Sequence, residues 1–234
     1  MIDTLMIFAA GFGKRMLPLT QTTPKPLLEI GGKPMLYHAL DLAQNAGFKT
    51  IIINSHYLSS LIQEAIDQYV VRFRPQAKIH HIYEPNILET GGAVKNAHYL
   101  FADKDVIFTM NSDSIITFEQ DIWSQMFTSW DKAYMDFMLL LSPLARSFGS
   151  IGNGDFDLEP NGQIHRNNQV KRYMFTGLQI VKVDLIMHNP LHQFSLAHYY
   201  TPGQYRLHGF VNPGIFYHIS NPQDYSLYNA KLSV

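Results

Sequence analysis

Leu5-Met6-Ile7-Phe8-Ala9-Ala10-Gly11-Phe12-Gly13-Lys14-Arg15-Met16 decides the fold class of this chain. An unbroken apolar run that stops in small residues and glycines is the pattern of a parallel strand buried on both faces. The small residues let backbone N–H groups approach a phosphate chain, and Arg15 adds a charge-assisted contact. The same residues would equally serve a tight strand-to-helix turn in which glycines supply backbone freedom. Two familiar phosphate loops do not fit. Met16 stands where a dinucleotide fingerprint has its third glycine, and a Walker loop needs four residues between its glycines and then Lys-Ser/Thr.

Outward from this run, strand-like and helix-like segments take turns. Pro34 opens a helix with Met35, Leu36, Ala39, Leu40 and Ala43 on one stripe and Gly47 as its stop. Residues 50–54 read as a strand and 59–69 as a helix, then 78–83 as strand and 92–100 as helix. A fourth strand, 106–110, runs into the polar turn Asn111-Ser112-Asp113-Ser114, followed by a helix at 118–130 and a strand at 135–141. Such alternation predicts an α/β protein: one Rossmann-like three-layer domain with a mostly parallel sheet and helices on both faces. After Pro143 the glycines at 149, 152, 154 and 162 predict hairpins, with strands at 175–183 and 216–219 and a final helix at 223–230. The chain thus divides into a half spanning 1–142 and a smaller β-rich half spanning 143–234.

Composition sets the outer limits. Hydrophobic residues make up 46% and charged residues 16%, enough for a sizeable core and against wholesale disorder. A formal charge of −1 gives no pull toward nucleic acid or an anionic membrane. With no cysteine, disulfides, thiolate nucleophiles and Cys-ligated zinc are excluded. The apolar run at 5–10 is too short for a secretory core, and no stretch reaches the length of a membrane span. A soluble cytoplasmic protein is expected.

The longer string from Gly11 to Thr20, continued by Thr23-Pro24-Lys25-Pro26-Leu27-Leu28, resembles the opening motif of the sugar-1-phosphate nucleotidyltransferases. The prolines that bracket Lys25 stiffen an extended segment, so its ammonium is presented from a rigid mount beside the glycine loop. That suits charge stabilisation in phosphoryl chemistry. Asn54-Ser55-His56-Tyr57-Leu58 also recurs in the family, and Glu84-Pro85 with Leu88-Glu89-Thr90-Gly91-Gly92-Ala93 resembles the segment bordering the nucleobase. Asn111-Ser112-Asp113 ends an apolar strand, where open α/β sheets place ligands.

The resemblance implies the nucleotide-diphospho-sugar transferase fold, and a nucleoside triphosphate and a sugar 1-phosphate as partners. It implies nucleotide contacts from Ala9, Ala10, Gly11, Gly13, Arg15, Lys25, Glu84, Thr90 and Gly91. Arg15, Lys25 and Asp113 carry catalysis, and Asn111, Gly154, Asp155, Thr176 and Gly177 line the sugar pocket. Asp113 matches the aspartate that binds catalytic Mg²⁺, while the family's second metal-binding aspartate falls on His218 and the glycine two residues later on Ser220. Imidazole suits softer ions than Mg²⁺, which leaves three readings: one Mg²⁺ on Asp113 with a second ion held mostly by substrate phosphates, a softer ion such as Mn²⁺ or Co²⁺, or a paralogue that binds with little turnover. Within the family, the short chain, the 88–92 segment and Gly154-Asp155-Phe156 look most like the branch that joins UTP to N-acetylmuramic acid 1-phosphate in cell-wall recycling. Mannose- and heptose-1-phosphate guanylyltransferases are close alternatives.

Overall fold

Strand β1 (Thr4–Phe8) sends Leu5 and Ile7 into one apolar layer and Met6 into another, all three fully buried. Successive side chains of a strand point to opposite faces, so the sheet that holds β1 is covered on both. The computed structural model describes residues 3–118, 121–165, 171–201 and 203–232.

In chain order β1 is followed by the short pair β2 (Glu29–Ile30) and β3 (Lys33–Pro34), then α1 (Met35–Asn45), β4 (Thr50–Ser55), α2 (Ser59–Phe73) and β5 (Lys78–Tyr83). Next come α3 (Glu89–Ala97), β6 (Val106–Asn111), β7 (Ser114–Ile116), α4 (Ile122–Ser129), β8 (Phe137–Pro143) and β9 (Ser147–Gly149). The chain closes with β10 (Asp157–Leu158), β11 (Ile164–His165), β12 (Tyr173–Lys182), α5 (Val183–Met187), β13 (Leu207–Val211), β14 (Phe216–His218) and α6 (Pro222–Leu232). Seven strands form the main sheet in the order β13-β8-β12-β6-β1-β4-β5. Neighbours pair in parallel except β12, which runs antiparallel to both β6 and β8.

One layer packs Leu36, Leu40, Ile62, Ile66 and Trp123 from α1, α2 and α4 onto Leu5, Ile7, Ile51 and Ile53. The other packs Val94, Ala97, Ile186, Phe194 and Leu196 onto Met6, Ile52 and Ile107. The three-layer α/β architecture expected from the sequence is therefore present. A three-stranded sheet, β7-β14-β9, stands beside the main one, and beneath it Met16, Ile30, Met35, Tyr217 and Tyr228 form a third apolar cluster.

Several elements depart from the sequence expectation. The helix expected at 118–130 begins at Ile122, because Asp121 accepts the Ser124 N–H at 3.1 Å and caps it there. The helix expected at 92–100 starts earlier, at Glu89. Strand β13 was not expected at all, since His208 and Gly209 break its apolar pattern. It forms because Gly209 leaves room for Leu141 and Leu158, whose methyls would lie 2.6 and 2.7 Å from a Cβ there. The glycine-rich stretch does contain a hairpin, β10–β11, but β9 pairs with β14 instead.

Candidate active site

Seven segments converge at the carboxyl ends of the parallel strands, the edge where open α/β sheets bind ligands. The glycine loop leaves β1, Asn54 lies near the end of β4, Glu84 follows β5, and Asn111 ends β6 with Ser112 and Asp113 in the turn to β7. Together with Thr90 of α3 and Ser220 after β14 they line a cleft of about 580 Å³. Ala9, Ala10, Gly11, Gly13 and Arg15 of the loop line it as well, and so does Lys25.

In the lining of the cleft the Lys25 ammonium lies 2.7 Å from Asp113 Oδ2. Lys25 sits between Pro24 and Pro26 in a short 3₁₀ turn, its side chain only 9% exposed, while that of Asp113 is 32% exposed. Gly13 makes this possible: its φ is +63°, and a Cβ would meet Thr20 at 2.9 Å and Lys25 at 3.1 Å. Burial works against the Asp113 carboxylate, but the charge and hydrogen bond of Lys25, aided by His218, outweigh it and hold its pKa below the usual value. The pair thus sets a buried lysine side chain against a partly open carboxylate.

His218 lies across the β7–β14 ladder from Ser114, next in sequence to Asp113. Burial lowers its pKa, Asp113 raises it, and Lys25 and Arg15 lower it again, so the ring is neutral at neutral pH. Among the described residues no three His, Asp or Glu side chains come together as a ready metal cage.

Of the other residues singled out from the sequence, Thr90 lines the cleft, whereas Gly91, Gly154, Asp155, Thr176 and Gly177 are not among its lining residues. Gly91 is buried against Phe194, whose ring would lie 2.2 Å from a Cβ there, and its N–H donates to the Phe194 carbonyl at 2.8 Å. Thr90 accepts the Leu196 N–H at 2.8 Å, so this end of α3 also holds the 190s segment in place. Thr176 is fully buried and donates to the Leu140 carbonyl at 3.0 Å. Asp155 accepts the Phe175 N–H at 2.9 Å, and Gly154 packs on the Lys171 backbone. Gly177 touches the site indirectly, through the Asn111 side chain that fills the space beside it.

Ser220 and Ser112 line the cleft without having been assigned a role in advance. Ser220 donates its N–H and hydroxyl to Asp224 Oδ2, both at 3.2 Å, at the entry to α6. Its neighbour Pro222 inside the first turn is the sequence signal that could have placed it.

Comparison with known proteins fits this geometry. Residues 4–164 match the model of the Nucleotidyl transferase family. The chain belongs to that family. It is 29% identical to the N-acetylmuramate alpha-1-phosphate uridylyltransferase of Caulobacter vibrioides over 97% of its length and 96% of that enzyme's. It is 35% identical to the mannose-1-phosphate guanyltransferase of Emericella nidulans, over 47% of this chain and 30% of that longer enzyme. In fold it resembles HddC from Yersinia pseudotuberculosis complexed with GMP-PN, at a TM-score of 0.79 and 24% identity, covering 98% of this chain and 99% of that one. The protein is an enzyme that transfers a nucleotidyl group. No helix among its described residues is long and apolar enough to cross a membrane.

Proposed function

We propose that this nucleotidyltransferase joins UTP to a sugar 1-phosphate, N-acetylmuramic acid 1-phosphate, and releases the UDP-sugar and pyrophosphate as a step of cell-wall recycling. The observation that carries the chemistry is the Lys25–Asp113 pair at 2.7 Å beside the glycine loop. The choice of substrates is supported by the match to the Caulobacter vibrioides enzyme along nearly the whole chain.

In this scheme the triphosphate lies along residues 11–15 with its α-phosphate beside Asp113. The sugar phosphate oxygen attacks the α-phosphorus in line, its new P–O bond forming as the bond to the pyrophosphate oxygen breaks. No covalent enzyme intermediate is needed, so catalysis is positioning and charge neutralisation. Arg15 and Lys25 supply fixed cations, and Asn111 faces the sugar.

Asp113 fits a hard divalent cation, because one or two carboxylates plus substrate phosphates are what Mg²⁺ commonly takes. Such an ion, Mg²⁺ or alternatively Mn²⁺ or Co²⁺, would neutralise phosphate charge. Neutral His218 is a poor partner for Mg²⁺ and a better one for the softer ions.

The test is pyrophosphate release with Mg²⁺ or Mn²⁺, each common ribonucleoside triphosphate and a panel of sugar 1-phosphates. Release that requires UTP and N-acetylmuramic acid 1-phosphate supports the proposal. Release with GTP and mannose or heptose 1-phosphate moves the chain to the second reading, which the partial match to a mannose-1-phosphate guanyltransferase favours. Silence with retained nucleotide binding means that the substitution at His218 has cost turnover.

A further inference from the structure

Asn54 is 3% exposed, stands one residue before the end of β4 and lines the cleft. Its Oδ1 accepts the Ala9 N–H at 3.1 Å, and its Nδ2 donates to Glu84 Oε1 at 2.8 Å. The other oxygen of Glu84 accepts the Leu88 N–H at 3.3 Å. One amide thus joins the first residue of the glycine loop to the segment that enters α3, and both of these line the cleft. The His56 ring donates from Nδ1 to the Glu84 carbonyl at 2.7 Å and pins the backbone at the same point.

The chemistry leaves little freedom at position 54. The side chain must accept from one backbone N–H and donate to one buried carboxylate at once, which an amide does and a carboxylate or hydrocarbon of similar size does not. Glu84 is 1% exposed, and each of its oxygens already takes a protein donor. A buried carboxylate deprived of such a donor is costly, and buried networks of this kind act as units.

We infer that Asn54 is a positioning residue for the nucleotide, acting through Ala9 and Glu84 and not on the ligand itself. The bridge sets where the N–H groups of the glycine loop stand relative to the base-side wall. This rests on the proposal that the triphosphate lies on that loop.

The bridge can be rebuilt with reversed polarity, which gives the test. Asn54→Asp places two carboxylates face to face, and Glu84→Gln places two amides face to face. The double variant puts a carboxylate at 54, able to accept from both Ala9 and the new amide at 84, whose oxygen keeps the Leu88 N–H; the formal charge is unchanged. Affinity for UTP, with GTP in parallel, is measured by calorimetry, alongside thermal melting and the KM for each substrate.

Each single variant should weaken triphosphate binding about 10- to 100-fold and lower Tm by about 5–10 °C, with the KM for sugar phosphate within about two-fold of wild type. The double variant should recover most of both losses. Additive losses in the double variant overturn the inference. So does recovery of Tm without recovery of affinity, which would make the bridge structural only. If Asn54→Asp does not fold, the comparison of Glu84→Gln with the double variant carries the test. A wild-type protein that binds no triphosphate overturns the proposed function as well, whereas wild-type binding without recovery in the double variant overturns this inference alone.

Discussion

Gly177→Ala separates backbone strain from displacement of a cleft residue. Gly177 sits where the register of β12 against β8 shifts, between Phe175 and Gln179, with φ at +86°. An alanine held in the left-handed region costs about 1–2 kcal/mol. Its Cβ would also stand 2.6 Å from Asn111 Nδ2, 2.9 Å from Cγ and 3.0 Å from Cβ, well inside ordinary contact. Relieving such overpacking costs about 1–3 kcal/mol more. The sum, about 3 kcal/mol, lowers Tm by roughly 6–12 °C in a chain of this length. Gly47→Ala is the control: its φ is +76° and nothing lies within 4 Å of the added methyl. It should lose only the backbone part, about 1–2 kcal/mol. Because Asn111 lines the cleft, kcat/KM of Gly177→Ala should fall about 10- to 100-fold while that of Gly47→Ala stays near wild type. Thermal melting and steady-state kinetics on the pair decide the matter. Equal losses of Tm together with unchanged kcat/KM in Gly177→Ala would refute the argument that this glycine seats Asn111.

Lys25→Ala should reduce kcat about 100- to 1,000-fold in the pyrophosphate assay yet move Tm by no more than about 3 °C, since its partner is partly open to water; retained turnover would remove Lys25 from the mechanism. Burial raises the pKa of Asp136, but hydrogen bonds and charge from Arg206 and Lys182 prevail and lower it. With the folded pKa below the unfolded one, the stabilisation is present above about pH 4 and disappears as pH falls through the folded value. Asp136→Asn should therefore cost about 2 kcal/mol at pH 7, with the gap to wild type closing in acid, as read from denaturant melts across pH 2–7; a constant gap at every pH would count against the pair. His218→Asp should lower the half-saturating Mg²⁺ concentration roughly three- to ten-fold and weaken any preference for Mn²⁺; identical metal titrations would mean that position 218 does not face the ion.

The parallel core of the fold was legible because its strands carry the plainest signals. The run at residues 5–10 and the strands at 50–54 and 106–110 are apolar segments ended by polar or glycine residues, and all three lie in the main sheet with the mixed strand at 78–83. Strand direction was less visible: β12 is as apolar as its neighbours, and nothing in an apolar run records that it runs backward. β13 escaped because its fitness for the sheet lies in a missing side chain at Gly209. At the site, the residues at strand ends were readable, since a polar residue stopping an apolar run marks the ligand edge. Gly91 and Gly92 illustrate the limit. Glycines signal close approach, but only coordinates reveal that the approaching groups are Phe194 and the His192 carbonyl, from a segment a hundred residues away.

The place of β14 between β7 and β9 has a consequence for synthesis on the ribosome. β7 and β9 emerge long before their shared partner, whose strand begins only at Phe216. Until then β7 presents an unpaired edge, and so does β8, which waits for β13. Unpaired edges recruit other chains, and long-range pairing is slow to close. The growing chain thus carries the turn at residues 111–113 beside open edges at β7, β8 and β9 until residues 207–218 have been made. Residues 207–218 therefore complete both sheets, and Ser220, which follows them, completes the lining of the cleft.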